Sequence, residues 1–193
     1  MTELILSSAS PRRAELLKAM DLEFTVRPAD VDETPHDHES PWAYVQRLAG
    51  SKARASWRAN TVSLGADTSV VVDGDILGKP LDEHDACAML ARLSDRWHAV
   101  TTAVAGFDGR RTVTQVVVTR VRFRHISAAE ARRYWATGEG ADKAGSYGIQ
   151  GIGGIFVKGL RGSYSAVVGL PTQETERLLN MLDLDTWKMR RRG

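Results

Sequence analysis

Residues able to handle a multiply charged anion recur along this chain. The first group is Ser7-Ser8-Ala9-Ser10-Pro11-Arg12-Arg13, where the apolar run Leu4-Ile5-Leu6 meets a segment whose Leu16, Leu17 and Met20 recur at helical spacing. A strand running straight into a helix offers hydroxyl groups, free backbone N–H groups and the positive end of the helix dipole, here with two guanidinium groups in the first turn. That is a phosphate-binding constellation. The competing reading is an ordinary helix start in which Ser8 or Ser10 is the N-cap and both arginines are solvated. Spacing leaves the two open, and the stretch is neither a Walker loop nor a Gly-x-Gly-x-x-Gly turn.

The second group centres on Asp67, which interrupts Val62-Ser63-Leu64-Gly65-Ala66-Asp67-Thr68-Ser69-Val70-Val71-Val72, otherwise a buried strand pattern. A carboxylate there is costly unless partnered, which favours a functional acid over a structural one. Two lone lysines could serve it. Lys52 lies beside the stripe Trp42, Val45, Leu48, Ala49 and Ala53 of a helix opened by Ser40-Pro41. A lysine in that position ordinarily snorkels to solvent and gains a role only beside a group that wants a cation. Lys79 sits at the rigid bend Gly78-Lys79-Pro80.

Within the acidic loop Pro28 to Pro41, Glu33 is the better candidate for an inward carboxylate, barely separated from Asp32. His36 and His38 flank Asp37 in a metal-like pair, but a loop with three prolines reads mainly as solvated. Gln150 stands in the glycine-dense stretch Gly138 to Gly154. Its amide is both donor and acceptor, as needed to read the edge of a base, and the glycines mean either a closely approached backbone or a long irregular loop.

These residues need a scaffold of strands and helices in alternation. Asp73-Gly74 predicts a hairpin pairing Val70–Val72 with Ile76-Leu77. A helix over Asp82 to Leu93 places Cys87, Leu90 and Leu93 on one face. Strands follow at Val100 to Phe107 and Thr112 to Phe123, with Arg120, Arg122 and Arg124 lining a solvent-facing edge. Ala128 to Trp135 reads as a short helix. Ile155–Val157 and Tyr164–Val168 read as a closing hairpin about Gly162, and Pro171 starts the last helix.

With 42% hydrophobic and 26% charged residues in 193, the composition is that of an ordinary globular chain, one domain over 1–193 by default, or a bilobed one. The formal net charge of +2 owes its sign to Lys188, Arg190, Arg191 and Arg192 in a basic tail over 188–193, so a general nucleic-acid-binding face is not indicated. Cys87 is the only cysteine, which suits a reducing compartment. No apolar run approaches membrane-spanning length, and the expected location is the cytoplasm.

Seven motifs in order carry a family resemblance: Ser8-x-Ser10-Pro11-Arg12-Arg13, Val31-Asp32-Glu33, Arg47-Leu48-Ala49-x-x-Lys52-Ala53, Gly65-Ala66-Asp67-Thr68, Gly78-Lys79-Pro80, Lys143-Ala144-Gly145-x-Tyr147-Gly148-Ile149-Gln150-Gly151, and Tyr164-x-x-Val167-Val168-Gly169-Leu170-Pro171. Together, over residues 4 to about 182, they resemble the Maf family of nucleoside triphosphate pyrophosphatases. The resemblance implies an α/β fold with a bent mixed sheet flanked by helices, two lobes and a central cleft, often as a homodimer. It implies hydrolysis of a nucleoside triphosphate to the monophosphate and pyrophosphate with a divalent cation, Mg2+, Mn2+ or Co2+. Arg12, Thr68 and Gln150 look like the branch acting on dTTP and UTP, with modified pyrimidine triphosphates as a further substrate class to test. The branch acting on 7-methyl-GTP usually carries other residues at these positions. Ser51 stands where the family often has an acid.

On that resemblance, Ser8, Arg12, Arg13, Lys52, Thr68, Lys79 and Gln150 bind substrate, the cations among them offsetting phosphate charge. Asp67 activates the attacking water as general base or by holding the metal, with Glu33 as a second metal ligand, and must lie near the α phosphorus. Competing readings are a pyrophosphatase for inosine-like or methylated bases, a non-catalytic nucleotide-binding regulator of cell division, and, more weakly, RNA contact through the tail.

Overall fold

A computed structural model describes residues 2–190. It is an α/β structure built on one mixed, open, seven-stranded sheet flanked by helices, with strand order β2-β1-β3-β5-β6-β7 and β4 paired to β3. The strands are β1 (Glu3–Leu6), β2 (Thr25–Val26), β3 (Thr61–Val72), β4 (Asp75–Leu77), β5 (Trp97–Phe107), β6 (Thr112–Phe123) and β7 (Val157–Arg161). The helices are α1 (Pro11–Ala19), α2 (Pro41–Ser56), α3 (Glu83–Leu93), α4 (Ala128–Trp135), α5 (Tyr164–Val168), α6 (Thr172–Met181) and α7 (Thr186–Met189).

β1 is parallel to both β2 and β3, and Leu4, Ile5 and Leu6 are accordingly buried without alternation. β3 has β5 as its neighbour in the strand order and two further partners in succession along its length, the parallel β1 on its first half and the antiparallel β4 on Val70–Val72. Asp73 and Gly74 both take positive φ in the two-residue turn, as the hairpin signal requires. Helix starts are side-chain capped at Ser40, Asp82 and Ser127, which accept from Ala43 N, Asp85 N and Glu130 N.

The chain divides into two compact units: Met1–Asp67 with Thr102–Val117 and Gly169–Gly193, and Thr68–Thr101 with Val118–Val168. The first buries Leu4, Leu6, Leu17, Val62, Leu64 and Leu178, with a second cluster in which Val45, Ala49 and Ala53 of α2 meet Ala103 and Ala105 of β5. The second unit is organised around Phe123 and Phe156, both fully buried. Phe123 meets Tyr147 edge to face with centroids 4.7 Å apart, and the His98 ring meets it at 4.8 Å.

Two expectations are corrected. Tyr164–Val168 is helix α5, not a strand: Gly162 turns the chain at φ +128°, and the Ser163 hydroxyl accepts from Ala166 N at 3.2 Å, starting a helix despite the valines. β6 is not an edge, because β7 pairs with it antiparallel, Arg120 opposite Arg161 and Arg122 opposite Gly159. Arg124 lies beyond the strand and pairs with Glu130 at 2.6 Å. Of the two readings left open for Gly138 to Gly154, the closely approached backbone holds: a Cβ at Gly145 would stand 2.9 Å from Val70 and one at Gly153 2.8 Å from Gly148 O, and the segment includes two short 3-10 turns at Ala144–Ser146 and Ile152–Phe156.

Candidate active site

The carboxylate that sequence marked as out of place is buried and partnered. Asp67 is 7% exposed and Lys52 8%. Lys52 Nζ lies 2.7 Å from Asp67 Oδ1 and 2.6 Å from Glu33 Oε1, so one ammonium bridges two carboxylates. Lys52 does not snorkel, because the neighbour that wants a cation is present. Burial pushes the Asp67 carboxyl above the usual range, while Lys52 and then Arg13 pull it back down.

This contact depends on how closely α2 approaches β3. A Cβ at Gly65 would collide with Ala49 O and stand 2.6 Å from Ala53 N, with Lys52 Cβ at 3.1 Å. Ser63 Oγ donates to Ala53 O at 2.6 Å and ties the same two elements together.

The turn into α1 supplies the cations. Ser10 is the N-cap residue but makes no side-chain cap, and Ser8 Oγ accepts instead from Ser10 N at 3.2 Å and from Arg13 Nη1 at 3.1 Å. Arg13 Nε also donates to Gly169 O at 2.9 Å. Burial lowers the Arg13 pKa, Asp67 opposes that shift, and Arg12 adds to it as a neighbouring like charge. Ser7 Oγ is buried with no hydrogen-bond partner, the orphan hydroxyl that an anion's oxygen would satisfy.

Arg47, quoted above in a motif but given no role, organises the loop that carries Glu33. Its Nε and Nη2 donate to Glu39 Oε1 and Oε2, both at 2.7 Å, and Nη2 donates to Thr34 O at 3.0 Å. The fork holds the Glu39 carboxyl down to about 2. Tyr44 Oη donates to Glu33 O at 2.9 Å. His36 and His38 are exposed, and among the described residues no group of three or more His, Cys, Asp or Glu could hold a metal ion.

Thr68, Lys79 and Gln150 belong to the second unit, where Thr68 is half-buried and the other two are exposed. Gly145 N donates to Gly78 O at 3.0 Å, joining the bend of Lys79 to the segment of Gln150. Glu139, which sequence reading passed over, staples that segment. It accepts from Ile152 N at 2.7 Å, Gly153 N at 2.9 Å and Tyr134 Oη at 2.8 Å. A Cβ at Gly151 would stand 2.6 Å from the Glu139 carboxyl carbon. The density of glycines just after an acid was the available signal.

The basic tail is partly anchored. Arg190 pairs with Glu176 at 2.9 Å, donates to Met20 O and lies 4.1 Å from the centroid of Trp187, and Lys188 pairs with Asp185. Arg191 and Arg192 lie outside the described residues.

Fold and site together define an α/β protein in which a lysine holds an acidic pair beside an arginine-bearing strand-to-helix turn. The chain belongs to the Maf family: residues 3–182 match the family described as Maf-like protein. It is 49% identical over 189 residues to a dTTP/UTP pyrophosphatase of Hahella chejuensis, covering 95% of this chain and 94% of that one. Proteins of the same name from Pseudoalteromonas atlantica and Myxococcus xanthus are 51% and 52% identical, covering 94% and 95% of this chain and 97% and 94% of theirs. Among the described residues no helix is long and apolar enough to cross a membrane.

Proposed function

We propose that this chain hydrolyses dTTP and UTP to the nucleoside monophosphate and pyrophosphate, as one Maf-like domain over 1–193, in the cytoplasm and as a homodimer. The observation that carries the reading is the buried Asp67 carboxylate held on Lys52 with Glu33 beyond it. The shared name of relatives at about half identity supports the substrate.

In this reading Asp67 takes the proton of the water that attacks the α phosphorus, and burial, by raising its pKa, makes it a better base. Lys52 keeps that carboxylate in one orientation. Arg12, Arg13 and Ser8 at the start of α1 receive phosphate oxygens, with Arg13 already aimed by Gly169 O and Ser8 Oγ. Lys79 as a further phosphate cation, and Thr68 and Gln150 as residues that choose the base, rest on the family resemblance.

Glu33 and Asp67 fit a divalent cation that arrives with the nucleotide: two carboxylates are too few for a protein-only cage, yet are what a magnesium-type ion takes alongside phosphates and water. Such an ion would supply charge neutralisation and a more acidic bound water.

The test is pyrophosphate release from a panel of pyrimidine, purine and modified triphosphates with Mg2+, Mn2+ or Co2+, run in 18O-labelled water. Fastest release from dTTP and UTP with the label in the monophosphate is expected. Nucleotide binding without release, or label in the pyrophosphate, overturns the reading. Light scattering on the purified chain tests the dimer.

A further inference from the structure

One strongly charged feature of the second unit takes no part in the proposed chemistry. Val121 and Phe123 of β6 point into the core, so Arg120 and Arg122 stand on the opposite face of the sheet. Arg161 of β7 is directly across from Arg120, a like-charge cross-strand pair, which by itself destabilises a sheet. The Arg161 guanidinium lies 5.0 Å over the ring of Trp97 on β5.

Elsewhere in this unit Arg92, Arg96 and Arg124 each pair with a carboxylate, Asp75, Asp73 and Glu130, at 2.7, 2.5 and 2.6 Å. Arg120, Arg122 and Arg161 have no carboxylate partner among the described residues. Arg122 Nε is buried and makes no hydrogen bond. An orphaned buried donor of this kind is destabilising unless something accepts from it. The residue opposite Arg122 is Gly159, where a Cβ would stand 3.5 Å from Trp97 Cη2 and 4.0 Å from Arg122 Cβ, so the cross-strand neighbour adds no side chain over Arg122.

We propose that Arg120, Arg122 and Arg161 form a second anion site, separate from the residues around Asp67, that binds a condensed phosphate, namely inorganic pyrophosphate. Three guanidinium groups spread over two strands call for an anion with acceptor oxygens on more than one centre and several negative charges. Such an anion turns the Arg120–Arg161 repulsion into a clamp and satisfies Arg122 Nε. The choice of pyrophosphate among condensed phosphates rests on the proposed reaction, which releases it. The site itself does not.

The test is a titration followed by the side-chain Nε–H resonance of Arg122 in the 15N-labelled full chain, with no turnover involved. Inorganic pyrophosphate is expected to shift that resonance, and Arg120→Gln, an exposed substitution, to weaken the fitted Kd at least tenfold. Hydrolysis of dTTP by that variant should stay within twofold of wild type. A resonance unmoved by pyrophosphate, or an unchanged Kd in Arg120→Gln, overturns the proposal. A non-hydrolysable dTTP analogue is the second arm, and a response to it alone overturns pyrophosphate as the ligand. An inactive chain that still binds pyrophosphate here would sink the pyrophosphatase reading and leave the site standing.

Discussion

Lys52 Nζ donates to Asp67 Oδ1 at 2.7 Å with both side chains about nine-tenths buried, and the same ammonium holds the more exposed Glu33. Removing the middle charge leaves a buried carboxylate without its hydrogen-bonded cation, with only the Arg13 charge to offset it. Lys52→Met should therefore cost about 3–5 kcal/mol of stability, the range for breaking a buried ion pair from one side. Lys52→Met with Asp67→Asn should be less destabilised than the two single losses added together. Denaturant unfolding of the three variants checks this, and simple additivity would show that the pair is not coupled.

Asp67→Asn keeps the shape of the side chain and removes its basicity. Turnover of dTTP should fall by about 10²–10⁴, the usual contribution of a positioned base, while nucleotide binding changes little. Steady-state kinetics with equilibrium binding separates the two effects. A variant that keeps a tenth of the wild-type rate removes Asp67 from the central role.

The fold was legible where local signals agreed with burial. The Asp73-Gly74 hairpin, the Pro11 helix start and the odd aspartate all appear where the pattern put them. Tyr164–Val168 failed because a serine cap and a glycine turn outweighed β-branched propensity, which no period-2 pattern can reveal. Arg47 and Glu139 were illegible for another reason: each acts through loop partners as many as 13 or 14 residues away, in contacts that no helical or strand period encodes.

Glu139 holds the segment that carries Gln150 through two backbone N–H groups and one hydroxyl. Glu139→Ala should cost about 2 kcal/mol and loosen discrimination among bases. Gln150→Ala, at an exposed position, should alter base preference more than it alters stability. Relative kcat/KM values for dTTP, UTP, dCTP and CTP measure this. An unchanged ranking in both variants would make the segment structural only.

His98 supplies a pH signature. Its ring is 4% exposed, with Nε2 2.9 Å from Tyr147 Oη and Nδ1 without a partner. Burial, and to a lesser degree Arg96, brings its pKa down to about 4. The unfolded chain binds this proton more readily, so stability is complete above the ordinary histidine value of 6.5 and is lost as pH falls toward 4, by roughly 3 kcal/mol. Thermal melts between pH 7.5 and 4.5 should show that slope, and His98→Gln should flatten it.

Deleting residues 188–193 removes the Arg190–Glu176 pair and the stack on Trp187, and none of the contacts described for Lys188 and Arg190 reaches Asp67. Tm should drop by about 2–4 °C for each kcal/mol lost, with kcat unchanged. A large rate loss would show that the tail takes part in turnover.

Gly65 acts as a spacer of zero thickness. Because β3 has no side chain at that point, the backbone of α2 rests directly on it, and a single added methyl would wedge strand and helix apart at Ala49 and Ala53. The first casualty would be a contact formed elsewhere, the reach from ammonium to acid. A substitution at residue 65 is therefore expected to disturb the Lys52–Asp67 pair from a position that carries no chemical group of its own.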